Sequence, residues 1–527
     1  MALPTRIEKT LAALSGKSGF FITIAAGAIS VLGHAPFYIW PAFIIAMALF
    51  MVRLNAIAER AEPNPEKSRK KTMARAAFWA GWAFGFGYFL ASLYWIASAF
   101  ITRGGGYVLL TPLGVTALPA GLAFFWAVAA MAYVKLIDSR LFSKRRILHG
   151  LIFALIFFAA EWLRGNILSG FPWNLPGYIW QAGGAMSQSA FLFGVYGLSF
   201  FTLLLAATLA TALSSKPKNN KDTFLKFSPL IISAFIMIGL FGYGSSRLSN
   251  AVVEFVEGTN IRVVGAKIDQ QEKYGADTYS QTIDTYLELS TRPSDAPLTH
   301  VVWPEGAIAG LPLEDVRLMS ALNNIFTGGP TLLMGVTRRA PNPQNPDEYQ
   351  YFNSLAALRP APNYEMETLA LYNKSKLVPF GEYFPFNQWV EGFEVPALTA
   401  ATSSFDRGNR GLTVLPNLPL ASVQICYESI FTGFTPRDTS ADPDNPPRNP
   451  KWILNVSNDS WFGASTGPHQ HFNQTRYRAI EEGLPLVRAT SSGFSGFVDP
   501  YGRIIKSSDG RVSAVLDSPL PKALTRR

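Results

Sequence analysis

One cysteine, Cys426, stands in the whole chain of 527 residues. It lies near the end of Leu420-Ala-Ser-Val-Gln-Ile-Cys-Tyr-Glu428, where an apolar run gives way to Tyr427 and Glu428. A lone cysteine is commonly a small buried hydrophobe, and a single one excludes an intramolecular disulfide. Strand ends of α/β sheets nevertheless present reactive side chains. A thiol with a reference pKa of about 8.5 is only slightly ionised at neutral pH, so a nucleophilic Cys426 requires a base beside it. Two further strand-end clusters offer partners. Val301-Val-Trp-Pro-Glu305 sets an acid after an apolar run and a proline, and Tyr372-Asn-Lys374-Ser-Lys-Leu-Val-Pro-Phe-Gly-Glu382 sets a cation ahead of a second acid. Taken singly, Glu305 also reads as a solvated turn carboxylate and Lys374 as a surface lysine.

Other chemistries lack their residues. There is no P-loop or dinucleotide-binding glycine fingerprint, and Gly493-Phe-Ser-Gly-Phe497 lacks the last glycine of a nucleophile elbow. His469-x-His471 is the one close histidine pair among five histidines. No cysteine or acid stands near it at a ligand-like spacing, so hydrogen bonding at a helix start is the expectation and no metal is expected. Asp442-x-Asp444 lacks the glycine and terminal glutamate of a calcium loop, and 436–450 reads as an exposed loop.

The elements that must position these residues fall into two halves. Composition is 49% hydrophobic and 16% charged, with a mean hydropathy of +0.16, which points to membrane burial. Residues 1–250 hold 22 Lys and Arg against 7 Asp and Glu, and residues 251–527 hold 24 against 29. Basic residues lying between apolar runs meet the demands of membrane topology, so no nucleic-acid partner is expected. Seven apolar runs fit spans: Leu11 to Gly33, Phe37 to Val52, Ala76 to Ile101, Leu113 to Val134, Ile147 to Trp162, Ala185 to Leu213 and Ser228 to Gly244. The first two are separable by only a short link and also fit a re-entrant hairpin, which leaves the parity unchanged. Leu32 to Pro36 is a poor cleavage site, so the first segment is expected to stay.

Nineteen basic residues gather in segments on one side of these runs, against Arg103 and Arg164 on the other. The positive-inside rule then places the N-terminus in the cytoplasm and everything after Gly244 outside. Glu161 and Arg164, three apart near the outer end of a span, are placed to pair. The aromatic loop Gly165 to Gly184, with Phe171-Pro-Trp173, suits a chain at headgroup level or the wall of a lipid site.

From Ala251 the texture is short β-rich runs alternating with helical stretches, which implies an α/β layered domain. Strands are expected at Ile261 to Ala266, His300 to Trp303, Thr331 to Val336, Ser354 to Leu358, Leu420 to Ile425, Trp452 to Val456, Leu486 to Ala489 and Val512 to Leu516. Helices are expected at Asp277 to Leu289, Leu313 to Ile325 and Gln470 to Glu482. The domains are thus 1–250, transmembrane and helical, then 251–519, catalytic, then a basic tail at 520–527.

Trp-Pro-Glu305, Lys374 with Leu-Val-Pro-Phe-Gly-Glu382, and Cys426-Tyr-Glu, in that order, resemble the signature blocks of the nitrilase, or carbon-nitrogen hydrolase, superfamily. Within it, the multi-span first half, Gly170-Phe-Pro-Trp173 and the wording from Tyr372 to Tyr383 are similar to the bacterial apolipoprotein N-acyltransferase family. The similarity also takes in Asn455-x-Ser-Asn-Asp459-x-Trp-Phe and Arg476-x-Arg-Ala-Ile-Glu481. It implies a multi-span α-helical membrane domain followed by a nitrilase-like αββα sandwich, in the bacterial inner membrane with the catalytic domain on the outer face. It further implies a phospholipid acyl donor, a thioester on Cys426, a diacylglyceryl lipoprotein acceptor and no cofactor. Glu305 is then the general base, Lys374 the oxyanion's cation, and Glu382, Tyr427 and Glu428 supporting residues. Tyr274, where the family often has a lid tryptophan, and Phe171 and Trp173 become lid or lipid-contact candidates. Phe380, Tyr383, Phe384 and Phe386 read either as an apolar mouth or as core aromatics. Members commonly carry a further span after the catalytic domain, whereas 516–527 holds no apolar run. A membrane-tethered amidase and a non-catalytic binding module are the competing readings, and a complete triad speaks against the second.

Overall fold

A computed structural model describes residues 10–11, 13, 16–59, 66–143, 145–214, 220–268, 276–361, 365–383, 405–437 and 449–525. Tyr274, Phe384, Phe386, Asp442 and Asp444 lie outside them. The chain divides into two compact units, Met1–Ala97 with Leu109–Asn250, and Ser98–Val108 with Ala251–Arg527.

The first unit is helical. Its long helices are α1 (Gly16–Ser30), α2 (Trp40–Glu59), α3 (Glu66–Leu93), α5 (Thr111–Ile137), α6 (His149–Asn166), α7 (Ala190–Leu213) and α8 (Asn220–Ser249); the short α4 (Ile96–Arg103) follows α3 and falls mostly in the second unit. Seven helical stretches among the described residues are long and apolar enough to cross a membrane, one for each apolar run. Glycines let them approach closely. A Cβ on Gly27 of α1 would run into the Phe84 carbonyl of α3, and one on Gly87 of α3 into the Ile24 carbonyl of α1.

Glu161 and Arg164 do pair, 2.5 Å apart and fully buried. Trp126 Nε1 donates to Glu161 Oε1 at 2.7 Å, and Arg164 donates to the Phe171 carbonyl at 2.5 Å. In lipid every polar group needs an internal partner, and this pair meets that demand while gripping the aromatic loop. Residues 172–179 of that loop are buried inside the helical unit, where Tyr88 donates to the Asn174 carbonyl and Gly177 N–H to Ser199 Oγ at 2.9 Å. Trp173 is buried, with its ring 4.9 Å from that of Trp95 and stacked on Phe171.

The second unit has two sheets. One, in spatial order β11-β1-β2-β3-β4-β5, comprises β1 (Ile261–Gly265), β2 (His300–Trp303), β3 (Thr331–Asn342), β4 (Asn345–Pro360), β5 (Met366–Asn373) and β11 (Ala514–Ser518). The other, in order β10-β9-β8-β7-β6, comprises β6 (Ala421–Ile425), β7 (Trp452–Ser457), β8 (Leu486–Thr490), β9 (Ser495–Val498) and β10 (Ile504–Ser508). Val263, Val302, Leu333 and Leu355 of the first pack on Val423, Ile425, Leu454 and Val487 of the second. Outside the first sheet, α9 (Ala276–Thr291) and α10 (Val316–Phe326) cover Val264, Trp303 and Met334; outside the second, α11 (Gly467–Glu482) covers Ile453 and Leu486. The layers are therefore α, β, β, α. Residues 520–525 belong to this unit: Leu520 is buried, and Lys522 N–H donates to the Glu254 carbonyl at 2.8 Å.

Candidate active site

Strand direction brings the site together. β2 is parallel to β3, and β5 is antiparallel to β4, itself antiparallel to β3. β2 and β5 therefore end at the same edge, which delivers Glu305, two residues past β2, and Lys374, one past β5. Gly335 on β3 makes room for the turn, since a Cβ there would meet the Pro304 carbonyl and stand 2.6 Å from Glu305 Cα.

Lys374 Nζ lies 3.2 Å from Glu305 Oε1 and 2.8 Å from Glu382 Oε1, and all three residues are largely buried. Asn353 Nδ2 donates to both carboxylates, at 2.6 Å to Glu305 and 3.0 Å to Glu382. Asn458 N–H donates to the second oxygen of Glu305 at 2.8 Å, and Val378 N–H to that of Glu382 at 2.8 Å. Burial opposes the Lys374 charge, but Glu305 and then Glu382 outweigh it and hold the ammonium well above the ordinary lysine range.

Cys426 directly follows β6 and takes a left-handed backbone, φ 49°, that few non-glycine residues adopt. Its thiol is pushed up, first by burial and then by the Glu305 charge, with Lys374 pulling the other way and Ser457 hydrogen-bonded to it. The raised thiol is neutral at neutral pH.

Glu428 fastens this turn to the lysine loop. Its Oε1 accepts from Ser375 N–H at 2.7 Å, Ser375 Oγ at 2.8 Å and Lys376 N–H at 3.0 Å, and its Oε2 from Ile425 N–H at 2.7 Å. Burial raises its pKa against these bonds. Tyr427 is buried edge-on to the Phe431 ring. Phe380 is exposed, and the Arg407 guanidinium stands 4.9 Å over the ring of Tyr383.

Sequence reading missed the groups that hold these residues in place. Asn353 carries no local signal at all. His471, expected only to serve a helix start, is buried with Nδ1 3.1 Å from Asp459 Oδ1 and Nε2 3.1 Å from Ser429 Oγ, which donates to the Cys426 carbonyl at 2.9 Å. Arg488 closes the network on Asp459 at 2.7 Å and on Asn455. Among the described residues no three His, Cys, Asp or Glu side chains group as metal ligands.

The comparisons with known proteins match both units. The apolipoprotein N-acyltransferase N-terminal domain matches residues 26–208, and the carbon-nitrogen hydrolase domain matches residues 261–525. The protein named apolipoprotein N-acyltransferase in Caulobacter vibrioides is 35% identical over 513 residues, spanning 96% of this chain and 89% of its own. The proteins of that name in Rhodopseudomonas palustris and Bradyrhizobium diazoefficiens are each 32% identical, over 95% of this chain and 89% of their own. This chain belongs to the apolipoprotein N-acyltransferase family. The family joins a multi-span membrane part to a nitrilase-type acyltransferase domain, and both parts are present here.

Proposed function

We propose that the protein transfers an acyl chain from a phospholipid, through a thioester on Cys426, to the N-terminal amine of a diacylglyceryl-cysteine lipoprotein. The observation that carries this reading is Lys374 held between Glu305 and Glu382 while Glu428 fastens the turn that carries Cys426 to the loop that follows Lys374. Glu305 takes the thiol proton as the sulfur attacks the acyl ester carbonyl, and Lys374 stabilises the oxyanion. Collapse breaks the ester C–O bond, and the carboxylic acid of Glu305 returns its proton to the departing glyceryl oxygen. The amine then attacks the thioester, Glu305 accepts its proton, the C–S bond breaks and the thiolate is reprotonated. Net proton and charge counts balance over the cycle. The catalytic residues act outside the cytoplasm, on the face to which an odd number of spans delivers them.

The test is an adduct. Purified full-length protein given phospholipid with a labelled acyl chain should gain one acyl mass on Cys426, absent in Cys426→Ala and strongly slowed in Glu305→Gln and Lys374→Ala, the last by about 100-fold or more. A lipoprotein amine should discharge it far faster than water. An adduct elsewhere, or rapid loss as free fatty acid with and without acceptor, would overturn the reading.

A further inference from the structure

Helices α3 and α5 meet closely at Gly81, where a Cβ would stand 2.5 Å from the Trp126 carbonyl and 2.6 Å from Ala130 Cβ. Towards the start of α3 and the end of α5 the seam opens into a groove of about 480 Å³. Its floor is apolar, made by Ala74, Phe78 and Met131, and Lys70, Lys71, Arg75 and Lys135 stand around it. No described carboxylate lines it. The nearby acid, Asp138, is already engaged by Arg69, whose NH2 lies 2.8 Å from both of its oxygens.

The level of the groove is set by length. The span in α3 runs Ser68–Leu93, 26 residues, or about 39 Å at 1.5 Å per residue, against a hydrocarbon core of about 30 Å. Its first turns, which carry Lys71 and Arg75, therefore reach the headgroup layer, as does the last turn of α5 with Lys135. Four cations around one groove repel each other, and an anion among them relieves that repulsion. Arg75 offers a planar fork suited to phosphate oxygens. The apolar floor, continuous with the spanning part of both helices, suits the glycerol and upper acyl segments of a lipid and has no use for a free ion.

We propose that this groove binds the headgroup of an anionic phospholipid as a resident ligand, in addition to any lipid consumed as acyl donor. The proposal rests on the helical unit alone and stands or falls separately from the reaction assigned to Cys426.

Native mass spectrometry of the detergent-solubilised full-length protein, titrated with phosphatidylglycerol or phosphatidylcholine, tests it. Phosphatidylglycerol should saturate one site more tightly than phosphatidylcholine. The triple variant Lys71→Gln, Arg75→Gln, Lys135→Gln should weaken phosphatidylglycerol by about tenfold or more and leave phosphatidylcholine unchanged. Replacing Lys71 and Lys135 by Arg should preserve binding. A control triple outside the groove, Lys17→Gln, Arg140→Gln, Arg145→Gln, should have little effect. If the triple variant fails to fold, Lys135→Glu alone, at an exposed position, must still weaken phosphatidylglycerol. Unchanged affinity in the groove variants, or an equal loss in the control, overturns the site. Displacement of the lipid by millimolar inorganic phosphate overturns the lipid in favour of a free-phosphate site.

Discussion

At the scale of residues, the central fact is a charge count. Lys374 carries one positive charge between the two carboxylates of Glu305 and Glu382, so ionising Cys426 in place would add a further negative charge beside Glu305. In the proposed reaction, moving the thiol proton onto Glu305 leaves the count unchanged, so a raised thiol and a nearby carboxylate would work together. Asn353 holds the two acids in place by donating to both. Hydrogen bonds to charged groups contribute about 1.5 to 3 kcal/mol, so Asn353→Ala should slow acylation of Cys426 by about 10- to 100-fold while circular dichroism stays unchanged. A wild-type acylation rate in that variant would remove Asn353 from the machinery. Glu305 and Cys426 were singled out because each follows an apolar run at a change of texture, and Lys374 because it stands ahead of Leu-Val-Pro-Phe-Gly-Glu382. Asn353 was not, because it lies within β4 among Tyr351, Phe352 and Ser354. Only the pairing of β4 with β5, Ser354 opposite Asn373, brings it beside Lys374.

At the scale of elements, the turn after β6 depends on what α11 and β8 set beneath it. Burial first, then Arg488, lowers the His471 pKa below its ordinary 6.5, so the buried ring is neutral at pH 7. Burial disfavours the Asp459 charge, but Arg488 and His471 overcome it and hold that carboxyl below its usual 3.8. Both signs point the same way. The unfolded chain takes up protons, at His471 below about pH 6.5 and at Asp459 below about pH 4, that the folded domain resists. Stability is full above pH 6.5 and falls on acidification. Thermal unfolding of the purified protein from pH 7.5 to 4.5 should show a falling midpoint, and His471→Gln should flatten that fall; an undiminished slope in the variant would locate the acid sensitivity elsewhere. The main strands were readable from their apolar runs, but β5, β9 and β10 were not. β5 is an edge strand of the first sheet with half of its residues exposed, β9 is a four-residue strand containing Gly496, and β10, Ile-Ile-Lys-Ser-Ser508, is an edge strand of the second sheet with a polar second half. β3 and β4 also extend well beyond their apolar segments as a paired hairpin whose outer part is polar, so hydrophobic patterning marked only its buried base.

At the scale of the whole molecule, the charge asymmetry makes its own prediction. The seven apolar runs each became a helix of spanning length, because length and hydropathy are properties of the local sequence. Orientation depends instead on basic residues in the connecting segments, and here 19 lie on one side of the runs against Arg103 and Arg164 on the other. Three of the 19, Lys216, Lys218 and Lys221, come just ahead of the last span, Thr223–Ser249, and Lys226 lies in its first turn, while Arg247 is the only basic residue from Phe227 to Val256. A single crossing thus separates Lys218 from Glu257. Fusions of alkaline phosphatase and of a fluorescent protein at these two points should give opposite results: fluorescence without phosphatase activity after Lys218, and phosphatase activity without fluorescence after Glu257. The comparison is strict, because only that one span differs between the two fusions. Cytoplasmic signals at both points would place the Cys426 domain on the side where the acyl acceptor proposed for it is absent, and both the orientation and that substrate would have to be given up.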